Sequence, residues 1–214
     1  MIKIERIVCN MLQENCYVVS DDTNECVIID CGAFYPEERQ SIVDFIRSRG
    51  LVPKHLLCTH GHVDHNFGID TISDTFALLP EVHADDNHFM EHLADQACQF
   101  IGYRPDNNYP PVGSALTDGQ EITFGHHVMR VIHTPGHSRG SVCFYLADEH
   151  VLFSGDTLFQ RSIGRTDLAG GSMMQIIQSL RLLAQLPDET VVYPGHGGAT
   201  TMGEELQSNP FLDR

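Results

Sequence analysis

A chain of 214 residues, 42% hydrophobic and 20% charged, has the composition of a soluble globular protein and room for one large domain. Its formal net charge of −16, with 13 Lys plus Arg and no basic run, argues against the clustered cations that a nucleic-acid partner requires. No apolar stretch approaches the length that spans a bilayer, so a membrane partner is not expected either.

The N-terminus, MIKIERIVCNMLQENCYVV, alternates polar and apolar residues and lacks the uninterrupted apolar core of a secretion signal. IKIERIVC, NCYVVSD and ECVIIDCG read as three strands, with DDTNE turning between the last two. A helix comes next: Pro36 suits its first turn, Ile42, Val43 and Ile46 recur at helical spacing, and Gly50 stops it. KHLLCT is a short buried strand, Asn66 to Asp74 a weakly amphipathic helix, and FALLP another strand. Asp85 caps a helix running through Cys98, with Phe89, Leu93 and Ala97 on one face. Residues 99–120 read as a long loop rich in Pro, Gly and Asn. EITF, HVMRVIHT, SVCFYLAD and HVLFSG are strands. A helix then opens at the capping box Ser172-x-x-Gln175, carries Ile176, Ile177, Leu180 and Leu183, and ends by Pro187. TVVYPGH is the last clear strand. No break in composition divides residues 1–214, which predicts a single α/β domain of packed layers. The cysteines (Cys9, Cys16, Cys26, Cys31, Cys58, Cys98 and Cys143) are odd in number and contain no C-x-x-C. That predicts free thiols, mostly buried, in a reducing cytoplasm.

Four of these strands share one feature, a His or Asp delivered at the carboxyl end. KHLLCT runs into His60, HVMRVIHT into Pro135-Gly136-His137, HVLFSG into Asp156, and TVVYPG into His196. Strands packed in one core can bring such ends to one point. The densest cluster is CTHGHVDHNFG, with His60, His62, Asp64 and His65. Imidazole and carboxylate are the ligands of zinc and neighbouring first-row metals. His60 and His62, two apart in extended chain, point to one side, whereas Asp64 and His65 come as the chain turns. One segment can therefore serve two metals, and His137, Asp156 and His196 complete seven ligands if one carboxylate bridges. The other histidines, His83, His88, His92, His126, His127, His133 and His150, read as surface or core filler. His88 and His92 lie four apart with no further ligand in view, and read as a solvated face.

Together, THGHVDH, TPGHSRGS, FSGDTLF and YPGHG resemble the metallo-β-lactamase superfamily, and within it the glyoxalase II-like hydroxyacylglutathione hydrolases. The resemblance runs through nearly the whole chain in the family order. It implies an αββα sandwich of two mixed β-sheets flanked by helices, with two divalent metal ions at one edge. By that pattern His60, His62 and His137 hold one ion, Asp64, His65 and His196 the other, and Asp156 bridges. Asp30 in VIIDCG matches an aspartate that orients a ligand histidine. Zinc leads among the metals; iron and manganese suit the same ligands.

The implied chemistry is hydrolysis of a small-molecule thioester such as S-D-lactoylglutathione. A water shared by two cations becomes hydroxide near neutral pH and attacks the acyl carbonyl. Asp64 and Asp156 are the catalytic carboxylates. A thiolate leaves without a proton, so no general acid is needed. Full-length glyoxalase II adds a basic C-terminal helical domain that helps bind glutathione. Here 18 residues come after His196, with Arg214 the single basic one, so that domain is expected to be lacking. Substrate contacts are expected instead from Tyr103, Arg104 and Tyr109 in the long loop, or from Arg161 and Arg165 in FQRSIGRTD. GRTD also resembles persulfide dioxygenases, which share the fold and bind one iron; a lactonase is a further alternative. The common dinuclear β-lactamases carry Cys where Asp156 stands, and flavodiiron relatives carry Glu where His62 stands. The oligomeric state is not legible.

Overall fold

The computed structural model describes residues 1–212; residues 213 and 214, which include Arg214, lie outside the described residues. The first sheet takes its strands in chain order: β1 (Lys3–Cys9), β2 (Glu14–Ser20), β3 (Glu25–Ile29), β4 (Val52–Leu57), β5 (Pro80–His83) and β6 (Ser114–Leu116). β1, β2 and β3 pair antiparallel, and β3 through β6 run parallel. The second sheet is built from β7 (Glu121–Phe124), β8 (His127–His133), β9 (Val142–Leu146) and β10 (Val151–Gly155). A small hairpin of β11 (Leu158–Phe159) and β12 (Ser162–Ile163) comes next, and β13 (Val191–Pro194) and β14 (Thr200–Thr201) complete the second sheet in the order 14-13-10-9-8-7. The helices are α1 (Pro36–Ser48), α2 (Ile69–Phe76), α3 (Asn87–Glu91), α4 (Leu93–Ile101), α5 (Met173–Leu183) and α6 (Met202–Ser208).

The period of two along the strands sorts the core into layers. Tyr17, Val19, Val27 and Ile29 face the second sheet and meet Phe124, Val131, Phe144 and Phe153. Their neighbours Val18 and Ile28 face the other way, against Ile42 and Ile46 of α1 and Ile69 and Ile72 of α2. On the far side, Leu152 and Val192 pack under Leu180 and Leu183 of α5 and Met202 of α6. The result is the expected αββα sandwich. Burying a ring such as Phe144 or Phe153 contributes ~1.5–3 kcal/mol, so this inter-sheet layer is a main source of stability.

Three elements differ from the sequence reading. α2 runs on to Phe76 and closes at Ala77, whose φ of 56° is left-handed, so the strand expected at FALLP begins at Pro80. The helix expected from Asp85 is broken at His92, into α3 and α4 after a 3-10 turn over Ala84–Asp86. The long loop contains β6, whose three residues add to the sheet through backbone pairing with β5. The thiols are free as expected, all buried except Cys98. Among the described residues no helix is long and apolar enough to cross a membrane.

Candidate metal centre

Five chain segments leave the carboxyl ends of β3, β4, β8, β10 and β13 and meet at one edge of the sandwich. They bring Asp30, the loop from His60 to His65, His137, Asp156 and His196 together. One nitrogen each from His60, His62 and His137 lie within 4.8 Å of one another, and so do the ligand atoms of Asp64, His65 and His196. His62 Nδ1 is 2.9 Å from His137 Nε2, and His65 Nε2 is 3.2 Å from His196 Nε2. Asp156 stands between the groups, with Oδ1 3.3 Å from His65 Nε2 and Oδ2 3.5 Å from His137 Nε2.

The outward nitrogens explain why the inward ones are free to bind. His65 Nδ1 donates to Asp30 Oδ2 at 2.9 Å, His137 Nδ1 to the Arg165 carbonyl at 2.8 Å, and His196 Nδ1 to the Leu12 carbonyl at 3.0 Å. His60 Nδ1 donates to Thr59 Oγ1 at 3.0 Å, and that hydroxyl donates in turn to Asp30 Oδ2 at 2.8 Å. Each of these bonds fixes a tautomer whose Nε2 lone pair points into the cluster. Facing lone pairs cannot satisfy one another. His60 Nε2 and Asp156 Oδ1 are buried without any hydrogen-bond partner, a costly state that a cation between them would relieve. The residues therefore fit divalent metal ions.

Electrostatics separates the two groups. Burial pushes the pKa of His60 well down and that of His62 to about 3, which keeps both imidazoles neutral, the form a metal ligand requires. Burial works the same way on His65 and His196, but the carboxylates around them outweigh it and raise both values. Burial also opposes charge on Asp156, yet His65, by its charge and its hydrogen bond, holds that carboxyl well below the usual range.

The loop carrying His60, His62, Asp64 and His65 is held by side chains the sequence reading did not single out. Asn66 Nδ2 donates to the carbonyls of His60 and His62 at 3.1 and 2.7 Å. Gln96 of α4 donates to the Gly61 carbonyl at 3.1 Å and accepts from the Val63 N–H at 3.2 Å. Asp86 accepts from the Gly61 N–H at 2.8 Å. Gly61 has no room for a side chain, since a Cβ there would lie 2.7 Å from the Phe89 Cβ.

The residues expected to contact substrate are dispersed. Tyr103 and Tyr109 line a cavity of about 480 Å³ with Phe34, Arg39 and Phe67. Arg104 is paired with Asp95, and Arg165 binds Asp167 through both Nε and Nη2, at 2.7 and 2.8 Å. What Arg165 lends the cluster is its backbone carbonyl, not its guanidinium. Arg161 is exposed in the β11–β12 turn, and its N–H donates to Glu205. Two further clusters include histidines read as filler: His83 with Asp85 and His133, and His88 with Glu91 and His92. Glu91 is the third group that the sequence reading of His88 and His92 did not see. The rings of His83 and His133 are stacked at 4.2 Å with planes 7° apart, and parallel rings cannot both hold one cation in their planes. The second cluster is fully exposed, and His92 Nδ1 donates to its own helix at the His88 carbonyl.

The metallo-beta-lactamase superfamily matches residues 9–196, and the chain belongs to that superfamily of metallo-hydrolases. It is 33% identical over 214 residues to the hydroxyacylglutathione hydrolase GloC of Haemophilus influenzae, covering 99% of both chains. Its fold superposes on a crystal structure of the BLEG-1 B3 metallo-beta-lactamase with a TM-score of 0.89, at 37% identity over 99% of each chain. It superposes on TTHA1623 in a di-iron-bound form with a TM-score of 0.85, at 36% identity over 97% of this chain and 100% of that one.

Proposed function

We propose that this protein is a dinuclear metal-dependent thioester hydrolase of the glyoxalase II type, acting on S-D-lactoylglutathione or a similar ester of a small thiol. The observation that carries the reading is the pair of ligand groups joined through Asp156, whose Oδ1 faces His65 and whose Oδ2 faces both His137 and His196. His60, His62 and His137 would hold one cation and Asp64, His65 and His196 the other. The resemblance to GloC along 99% of both chains supports the thioester as substrate class. Zinc is the metal we favour; the di-iron form of TTHA1623 keeps iron in view.

Two cations bound there supply an acidified water and a Lewis acid for an acyl carbonyl. The chain's own residues set the rest. The side chains of Asp64, Asp156 and His196 keep 17, 11 and 26% of their surface exposed, while those of His60 and His137 keep 0 and 3%. Substrate therefore approaches over Asp64 and His196. Asp64 carries a carboxyl whose pKa stays below the usual value despite burial, because His65 and His196 face it; it stays ionised as a ligand and is not an acid. A departing thiolate needs no acid. A cavity of about 630 Å³, lined by Phe89, Gln96 and Arg139 among others, lies beyond Phe89, whose ring packs on the His62 ring. It offers space for the thiol or acyl portion. A mononuclear-iron dioxygenase would use one metal and leave the second group without a task.

The test is thiol release from S-D-lactoylglutathione by protein whose bound metal has been counted. Rapid release abolished by a chelator, with two cations per chain, is the expected result. Failure with this ester and with other thioesters would overturn the substrate class. Turnover of a lactone or a β-lactam instead would move the same metal centre to another ring-opening reaction. One iron per chain, with oxygen uptake on glutathione persulfide, would replace hydrolysis by dioxygenation.

A further inference from the structure

Asp86 is a completely buried carboxylate that no ligand group touches directly. It ends the 3-10 turn after β5, and it accepts three hydrogen bonds from two separate loops. Oδ2 takes the Gly61 N–H at 2.8 Å and the Ser138 hydroxyl at 2.6 Å; Oδ1 takes the Gly140 N–H at 2.7 Å. Gly61 lies between His60 and His62, and Ser138 is next to His137. The carboxylate therefore ties together the backbones that carry the three histidines of one group. The packing is shaped for it from both sides. A Cβ on Gly140 would lie 2.7 Å from the Asp86 Cγ, and one on Gly61 would lie 3.2 Å from the Asp86 Cβ. Among the described residues, none of its three bonds comes from Asp64, His65, His196 or a neighbour of theirs.

We infer that Asp86 is a positioning residue for one metal of the pair: it sets the spacing of the His60–Gly61–His62 segment against the His137 loop, and so governs the affinity of the three-histidine group alone. The physical reason is leverage. A change in the peptide at Gly61 turns both flanking imidazoles, and these sit on opposite sides of a donor that Asp86 holds. The His137 ring is already anchored at Nδ1 by the Arg165 carbonyl, so the Ser138 and Gly140 bonds fix where its loop stands against the other two. Partners of this kind, one step behind the ligands, affect metal affinity by ~10–100-fold. The inference rests on the metal-binding reading above, and its test reads metal rather than turnover.

The experiment counts and titrates zinc on the full chain, by chelator competition, in Asp86→Asn alone and combined with His62→Ala or His196→Ala. Asn keeps the size of Asp86 but offers one acceptor and sets an amide N–H against the donors. The expected result is a ~10–100-fold weaker hold on one of two zinc ions. Asp86→Asn should weaken the ion that remains in His196→Ala and leave unchanged the ion that remains in His62→Ala. Ser138→Ala, which removes one of the three bonds, should produce a smaller loss of the same kind and keeps the test open if Asp86→Asn does not fold. Wild-type affinity for both ions in both variants, or an equal loss in the two double variants, overturns the inference. A wild-type chain that binds no zinc, iron or manganese overturns the metal-binding reading and takes this inference with it.

Discussion

The two ligand groups are a few ångströms apart and are built on different plans. The three-histidine group is dry and held from behind through the backbone, by Asp86, Gln96 and Asn66. The group of Asp64, His65 and His196 carries a carboxylate, opens to solvent, and is anchored by side chain and hairpin: Asp30 on His65, the Leu12 carbonyl on His196. The difference teaches that one site is defined by shape and the other by charge. On the proposed reading, a dehydrated triad of imidazoles would select its cation by the spacing of its nitrogens. A solvent-facing group with a carboxylate would hold its cation largely by attraction and keep room for substrate.

Asp156 is where the two plans meet, so removing it has the largest expected effect. Asp156→Ala removes the carboxylate that faces both groups and leaves His65, His137 and His196 facing an empty space. Thioester hydrolysis should fall by more than ~100-fold, beyond the range reached by residues behind the ligands. His62→Ala should do the same from one side. In both variants the far-ultraviolet circular dichroism should match wild type, because neither residue belongs to a core layer. Wild-type rates in either variant with its metal counted would remove the cluster from catalysis.

Asp30 ranks next and contrasts with Asp86. It reaches His65 directly and His60 through the Thr59 hydroxyl, so it supports both groups where Asp86 supports one. Its backbone sits at φ 53°, a left-handed position that Asn tolerates better than most residues. Asp30→Asn thus keeps the chain path and changes the acceptors. Both zinc ions should be held ~10–100-fold less tightly, as chelator competition would show. Loss of a single ion would make Asp30 the support of one group only.

The clustered side chains were legible in the sequence because they combine a rare residue type with a fixed place, the end of an apolar run. His60, His137, Asp156 and His196 each come after a strand that its own pattern announces. Their supports carry no such mark. Asp86 acts on amides of residues 25 and 54 positions away, and nothing in HADD distinguishes it from Asp85, which is exposed. Gln96 reads as one more polar position on a helix, and β6 pairs through its backbone, which leaves no apolar alternation to read. Ala77 shows the same limit from the other direction. An alanine in the left-handed region ends α2 where local preference favours continuation, because the chain must turn there to enter β5.

The smallest expected effect concerns the frame beneath the three-histidine group. β4 delivers His60 and β5 leads to Asp86, and the two strands are clipped by His55 Nδ1 on Glu81 Oε1 at 2.6 Å. The hydrogen bond to Glu81 raises the His55 pKa above its ordinary 6.5, against partial burial. A value raised on folding stabilises the native state below the unfolded pKa, and that contribution is lost as pH rises through the folded value. The His55 contribution, read as the difference between wild type and His55→Gln in chelator-treated protein, should therefore fall as pH climbs from about 6.5 upward, by an amount within the ~0.2–1 kcal/mol typical of partly exposed pairs. In His55→Gln this part of the pH dependence should flatten, as urea denaturation at successive pH values would show. Zinc affinity of the Asp64, His65 and His196 group should change less, since His65 is also fixed by Asp30 at the end of β3 and His196 comes from the end of β13. If instead His55→Gln weakens both ions equally, the two groups are not separately framed, and the division between a site of shape and a site of charge fails at the level of the strands.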